Sequence, residues 1–77
     1  MNSILRAIEM LGNGQWDAAH QIAQNDETPL GAWLHGILHM IEGDESNARY
    51  WYQKAGRPFL GMKSKESEIK AILAQIQ

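Results

Sequence analysis

No cysteine occurs among the 77 residues. Disulfides, thiolate zinc sites and cysteine nucleophiles are therefore excluded together, and no redox compartment is marked. No Gly-rich loop opens a helix to cradle phosphate, and no Ser, Thr or Asp sits in a nucleophile elbow, so cofactor binding and acyl transfer lack a signature. Long apolar runs are missing too. Met1–Leu11 carries Arg6 and Glu9 among its apolar residues and has no basic segment ahead of them, which supports neither a signal peptide nor a membrane span. The cytoplasm is the expected location. Basic residues are scarce in one half only. Residues 1–48 hold one Arg against seven Asp and Glu, and residues 49–77 hold six Lys and Arg against two Glu, giving −6 and +4 for a net −2. That sum offers no electrostatic help toward nucleic acid. A chain of this size buries only roughly 60% of its unfolded surface, which leaves little room for a large catalytic cleft. One domain over 1–77, without cofactor or catalysis, is the expectation.

What is present is a strong helical hairpin over residues 28–57. Thr28 stands as an N-cap before Pro29, whose fixed φ suits the first helical position. Apolar residues at 30, 33, 34, 37, 38 and 41 share one side of a 3.6-residue helix, and Gly43 ends it. Asp44 can cap a second helix on which Ala48, Trp51, Tyr52 and Ala55 share a face, with Gly56 and Arg57-Pro58 as the stop.

Residues 3–27 read as an earlier copy of the same hairpin. A shift of 29 lays Ile4 on Trp33, Leu5 on Leu34, Ala7 on Gly36, Ile8 on Ile37, Leu11 on Met40, Gly14 on Gly43, Ala19 on Ala48 and Ile22 on Trp51. Trp16, Ala19 and Ala23 form a three-and-four stripe expected in the core. After Pro58 the pattern lapses. Ser64 looks like an N-cap with Glu66 and Glu68 in the first turn, and Ile69, Ile72, Leu73 and Ile76 make the stripe of a fifth helix within 64–77. The fold class is therefore all-α, five short helices, with the last one capping the stack.

Gly36, Gly43-Asp44, Ala48 and the run Tyr52-Gln53-Lys54-Ala55 resemble the tetratricopeptide repeat at its small, turn, alanine and aromatic positions. Trp33 stands one place nearer the glycine than that family's tryptophan, Pro58 comes early, and His35 and His39 replace apolar residues. The segment Trp-x-His…His-x-x-Glu-Gly-Asp…Tyr-Trp-Tyr is also similar to a group of uncharacterised small bacterial proteins. The resemblance implies a protein-interaction or assembly module that takes a protein or peptide partner or a second copy of itself. In such repeats the first helix of each hairpin lines the inner face, which points here to Ile4, Ile8, Leu30, Trp33, Ile37, Met40 and Ile41, with Trp33 and Met40 at the rim. A second expected surface comprises Asn47, Tyr50 and Lys54 on the outer side of the fourth helix. Close helix approach is expected at Gly36, against Ala48 and Ala55, so that Gly36→Leu overpacks and Gly31→Leu does much less.

The alternative reading is chemical. His35, His39 and Glu42 lie four and three apart, so one helical face offers two imidazoles and a carboxylate to a metal or small ligand, and His20 of the first copy can approach. The plainer expectation is hydrogen-bonded core histidines meeting Tyr52, Asn47 or backbone. Arg49-Tyr50-Trp51-Tyr52-Gln53-Lys54, with Arg57 and Phe59, holds the ingredients of base stacking, but Trp51 and Tyr52 share the packing face, which argues against nucleic acid.

Overall fold

Caps at Asn2, Thr28 and Asp44 and left-handed glycines at Gly43 and Gly56 satisfy orphan backbone groups at helix ends. A computed structural model describes residues 2–76, so that Met1 and Gln77, the outer limits of the expected spans, lie outside the described residues. The helices are α1 (Ser3–Gly12), α2 (Trp16–Gln24), α3 (Pro29–Glu42), α4 (Glu45–Ala55) and α5 (Lys65–Ile76), the last preceded by a single 3₁₀ turn at Met62–Ser64. The fold is all-α, with no strand among the described residues.

Asn2 opens α1 by accepting from the Ile4 amide at 2.9 Å, and Thr28 opens α3 by accepting from Gly31 at 3.2 Å, with Pro29 in the first turn. Gly43 closes α3 in the left-handed region, φ 85°, where its amide donates to Met40 and that of Asp44 to His39. Asp44 then caps α4 by accepting from the Asn47 amide at 3.2 Å and the Asn47 side chain at 2.7 Å. Gly56 ends α4 in the same left-handed conformation. Ser64 departs from the expected cap. Its hydroxyl donates to the Gly61 carbonyl at 2.7 Å, because the 3₁₀ turn runs straight into α5 and leaves no extended residue from which a side chain could reach back.

Helices α1 and α2 form one hairpin and α3 and α4 a second, α2 packs on α3, and α5 lies across α3. The 29-residue shift holds in burial for Ile4 and Trp33, Ala7 and Gly36, Ile8 and Ile37, and Ala19 and Ala48, and Gly14 and Gly43 both have positive φ, but Leu5 and Leu11 are only partly buried where Leu34 and Met40 are buried. The indole N–H of Trp16 joins the hairpins by donating to the Leu38 carbonyl at 2.9 Å.

The one-sided burial expected of α3 is exceeded. Every residue from Gly31 to Met40 is buried, because α2, α4 and α5 enclose the helix from different sides. Gly36 lies against the Tyr52 ring and the Ala48 carbonyl, where a Cβ would meet Tyr52 Cε1 at 2.8 Å and Ala48 O at 3.3 Å. Gly31 is just as confined, contrary to expectation. A Cβ there would lie 2.6 Å from Asp26 Cβ, since the turn through Asp26 and Thr28 folds back over the start of α3.

Candidate functional site

Enclosure of α3 brings three imidazoles together. His20 extends from α2 and His35 and His39 from successive turns of α3, with one ring nitrogen of each within 4.8 Å of the others. The His20 and His35 rings meet edge to face at 4.5 Å, His35 and His39 stack at 4.9 Å, and His20 stands 5.4 Å from His39. Two indoles wall the cluster: Trp16 stacks on His20 at 4.8 Å and Trp51 on His35 at 3.9 Å, both nearly parallel.

The three rings are held differently. His39 Nδ1 lies 2.6 Å from Glu42 Oε1, one helical turn on. His35 Nδ1 is buried without a hydrogen-bond partner. Burial, followed by the neighbouring His20 and His39, pulls the His35 pKa down to about 4. His20 is lowered as well, first by burial and next by His39, while Glu42 and Asp17 act in the opposite sense. The structure thus places His35 and His39 together, as their spacing implies, but substitutes His20 for Glu42 beside His35. Glu42 faces the other side of His39, toward Asp44. The expected contacts of these histidines with Tyr52 or Asn47 are not the ones made: Tyr52 turns to α5 and the Asn47 amide to Asp44.

The expected partner-binding residues Trp33, Ile37 and Met40 are covered. Their exposures are 2%, 0% and 3%. Trp33 is held there by a polar tie that an apolar stripe does not display: Glu68 of α5 is buried and its Oε1 accepts from the Trp33 indole at 3.1 Å and from the Tyr52 hydroxyl at 2.7 Å. Burial first, and then this hydrogen bond, pushes the Tyr52 pKa up. On its other side the Trp33 ring carries the Arg57 guanidinium at 3.5 Å. The one available signal was that Glu68 precedes Ile72 by four residues, on the face where Ile72 is fully buried.

Other surfaces remain open. A groove of about 350 Å³ between α1, α3 and α5 is lined by Ile8, Leu11, Gly12, Ile41 and Ile69. On α4, Asn47, Tyr50 and Lys54 are exposed as expected, with the Lys54 ammonium 5.9 Å from the Tyr50 ring. The cations and aromatics of this region largely satisfy one another. Arg49 lies 4.6 Å over Phe59 and pairs with Glu45 at 2.9 Å, and Arg57 covers Trp33. Among the described residues no helix is long and apolar enough to cross a membrane. Comparison with protein-family models, curated proteins and solved structures yields no match for this chain.

Proposed function

We propose that the chain is a non-catalytic, tetratricopeptide-like interaction module whose apolar groove between α1, α3 and α5 seats one amphipathic helix of a protein partner. The observation that carries this reading is a break in the internal symmetry. Met40 is buried, with its sulfur 3.8 Å from the Ser64 hydroxyl of the 3₁₀ turn, whereas Leu11, its counterpart one repeat earlier, is only half-buried and borders the groove with Ile41 and Ile69.

All five lining residues lack a polar side chain, so a small metabolite would find nothing to orient it. Aliphatic side chains spaced three and four apart on a partner helix need no such groups and gain from leaving water. The groove thus replaces Trp33, Ile37 and Met40 as the apolar contact surface. Asn47, Tyr50 and Lys54 stand on α4, outside it.

The test places a photo-crosslinking residue at Leu11 and, as a control, at exposed Gln53. The expected result is capture of one protein from Leu11 alone. In purified form that protein binds the wild-type chain and binds Ile41→Lys at least about tenfold more weakly, with helix content unchanged. Doubling of the chain's own mass, or capture independent of position, would overturn the assignment of the groove to a partner helix.

A further inference from the structure

Packing accounts for the faces of the three imidazoles, and Glu42 for one edge of His39, but the edges of His20 and His35 are left unexplained. Stacking against Trp16 and Trp51 occupies ring surfaces of His20 and His35, yet ring nitrogens donate and accept in the ring plane. His35 is 4% exposed and its Nδ1 has no partner, an arrangement that protein interiors rarely tolerate. Histidine is also an uncommon choice for core positions in a repeat where an aliphatic side chain would fill the space.

We propose that His20, His35 and His39 form a three-imidazole site for a borderline divalent transition-metal ion, zinc first, with Glu42 as the residue that positions His39. The donor set is all nitrogen, with neither thiolate nor carboxylate, which suits zinc, cobalt or copper rather than magnesium or calcium. Tetrahedral coordination at about 2.0–2.1 Å from each nitrogen sets the nitrogens about 3.3 Å apart. The three nitrogens lie within 4.8 Å, so modest side-chain rotations bring them to that spacing without moving a helix. Coordination would give the buried His35 imidazole the partner that the protein does not.

Glu42 completes the arrangement from outside. A carboxylate on the Nδ1 side of a ligating histidine fixes the tautomer that leaves Nε2 unprotonated and orients the ring, and Glu42 stands 2.6 Å from His39 Nδ1. The neighbouring set of His39, Glu42 and Asp44 is the weaker candidate. Glu42 is already engaged with His39, and both oxygens of Asp44 are engaged in capping α4. Three protein ligands leave a tetrahedral ion one place for water or an external ligand. This inference uses α2 and one side of α3 and does not rest on the groove.

The experiment titrates the untagged full chain, after chelator treatment, with cobalt(II) and then zinc(II). The expected result is one cobalt per chain with the intense visible absorption of four-coordination, discharged by one equivalent of zinc. His20→Gln, which alters the least buried ligand, should weaken binding at least 100-fold with the circular-dichroism spectrum intact. Glu42→Gln should weaken it by about 10–100-fold, and Asp44→Asn should leave it unchanged. A folded wild-type chain that takes up no cobalt or gives only the weak octahedral spectrum, or a His20→Gln variant that binds as wild type, overturns the site.

Discussion

Trp33 and Glu68, 35 residues apart in the chain, meet at 3.1 Å through the indole N–H and one carboxylate oxygen. The same oxygen takes the Tyr52 hydroxyl at 2.7 Å, so α3, α4 and α5 share one acceptor. Burial of the Trp33 ring and seating of α5 are consequently one event. Glu68→Ala strands two buried donors and should cost about 2–4 kcal/mol, whereas Glu68→Gln keeps an acceptor and should cost less. Equal melting temperatures for the two variants would show that the tie contributes nothing beyond its volume.

Three glycines separate packing from backbone effects. Gly36→Ala and Gly31→Ala each drive a Cβ into a neighbour, Tyr52 in one case and Asp26 in the other, and should each cost about 1–3 kcal/mol. Gly12→Ala meets nothing within 4 Å and should be neutral or stabilising by up to about 1 kcal/mol. Denaturant unfolding of the three variants checks the order. A harmless Gly31→Ala would mean that the Asp26 turn yields.

Much of this fold was legible because helix ends are local chemistry. Thr28-Pro29, Gly43-Asp44 and Gly56 act through atoms a few residues away, and the spacing of apolar side chains then fixes the faces. The shift of 29 was legible for the same reason. Glu68 was not, since its burial depends on where α5 crosses α3, a relationship between segments with no common period. His20 was legible as a residue able to approach from the first copy, but its place beside His35, in preference to Glu42, depends on the packing of α2 on α3, which periodicity within one helix does not describe. Gly31 was misjudged because the obstacle lies in the preceding turn rather than on a facing helix.

Acid should loosen the metal-free protein through the buried His35. His35 has an ordinary pKa near 6.5 in the unfolded chain and about 4 in the native one. Between those values the unfolded state binds a proton that the native state refuses, so stability falls as pH is lowered through this window and this contribution levels off below it. His20 acts in the same direction, with His39, Asp17 and Glu42 the other titrating groups in reach. Melting curves in chelator should show a steeper decline between pH about 7 and about 4.5 for wild type than for His35→Phe, which keeps the stack on Trp51. Parallel curves would mean that His35 protonates freely in the folded protein.

The turn between α3 and α4 offers a separate check. Asp44→Ala removes the acceptor for the Asn47 amide and should lower the melting temperature, and Gly43→Ala, forced to φ 85°, should cost about 1 kcal/mol. Because Gly43 and Asp44 are consecutive in one turn, the two changes should couple, and the loss in the double variant should depart from the sum by about 0.5 kcal/mol or more. A strictly additive loss would indicate that the two changes act independently.

Complete burial of α3 from Gly31 to Met40 also sets an order of opening. Its amides can reach solvent deuterium only after neighbouring helices have moved, so hydrogen exchange there should report global unfolding, while α1 and the end of α5 exchange through smaller, local fluctuations. The helix that carries two of the three clustered histidines is therefore the last to be released, and His35 and His39 keep their relative placement until the whole domain comes apart.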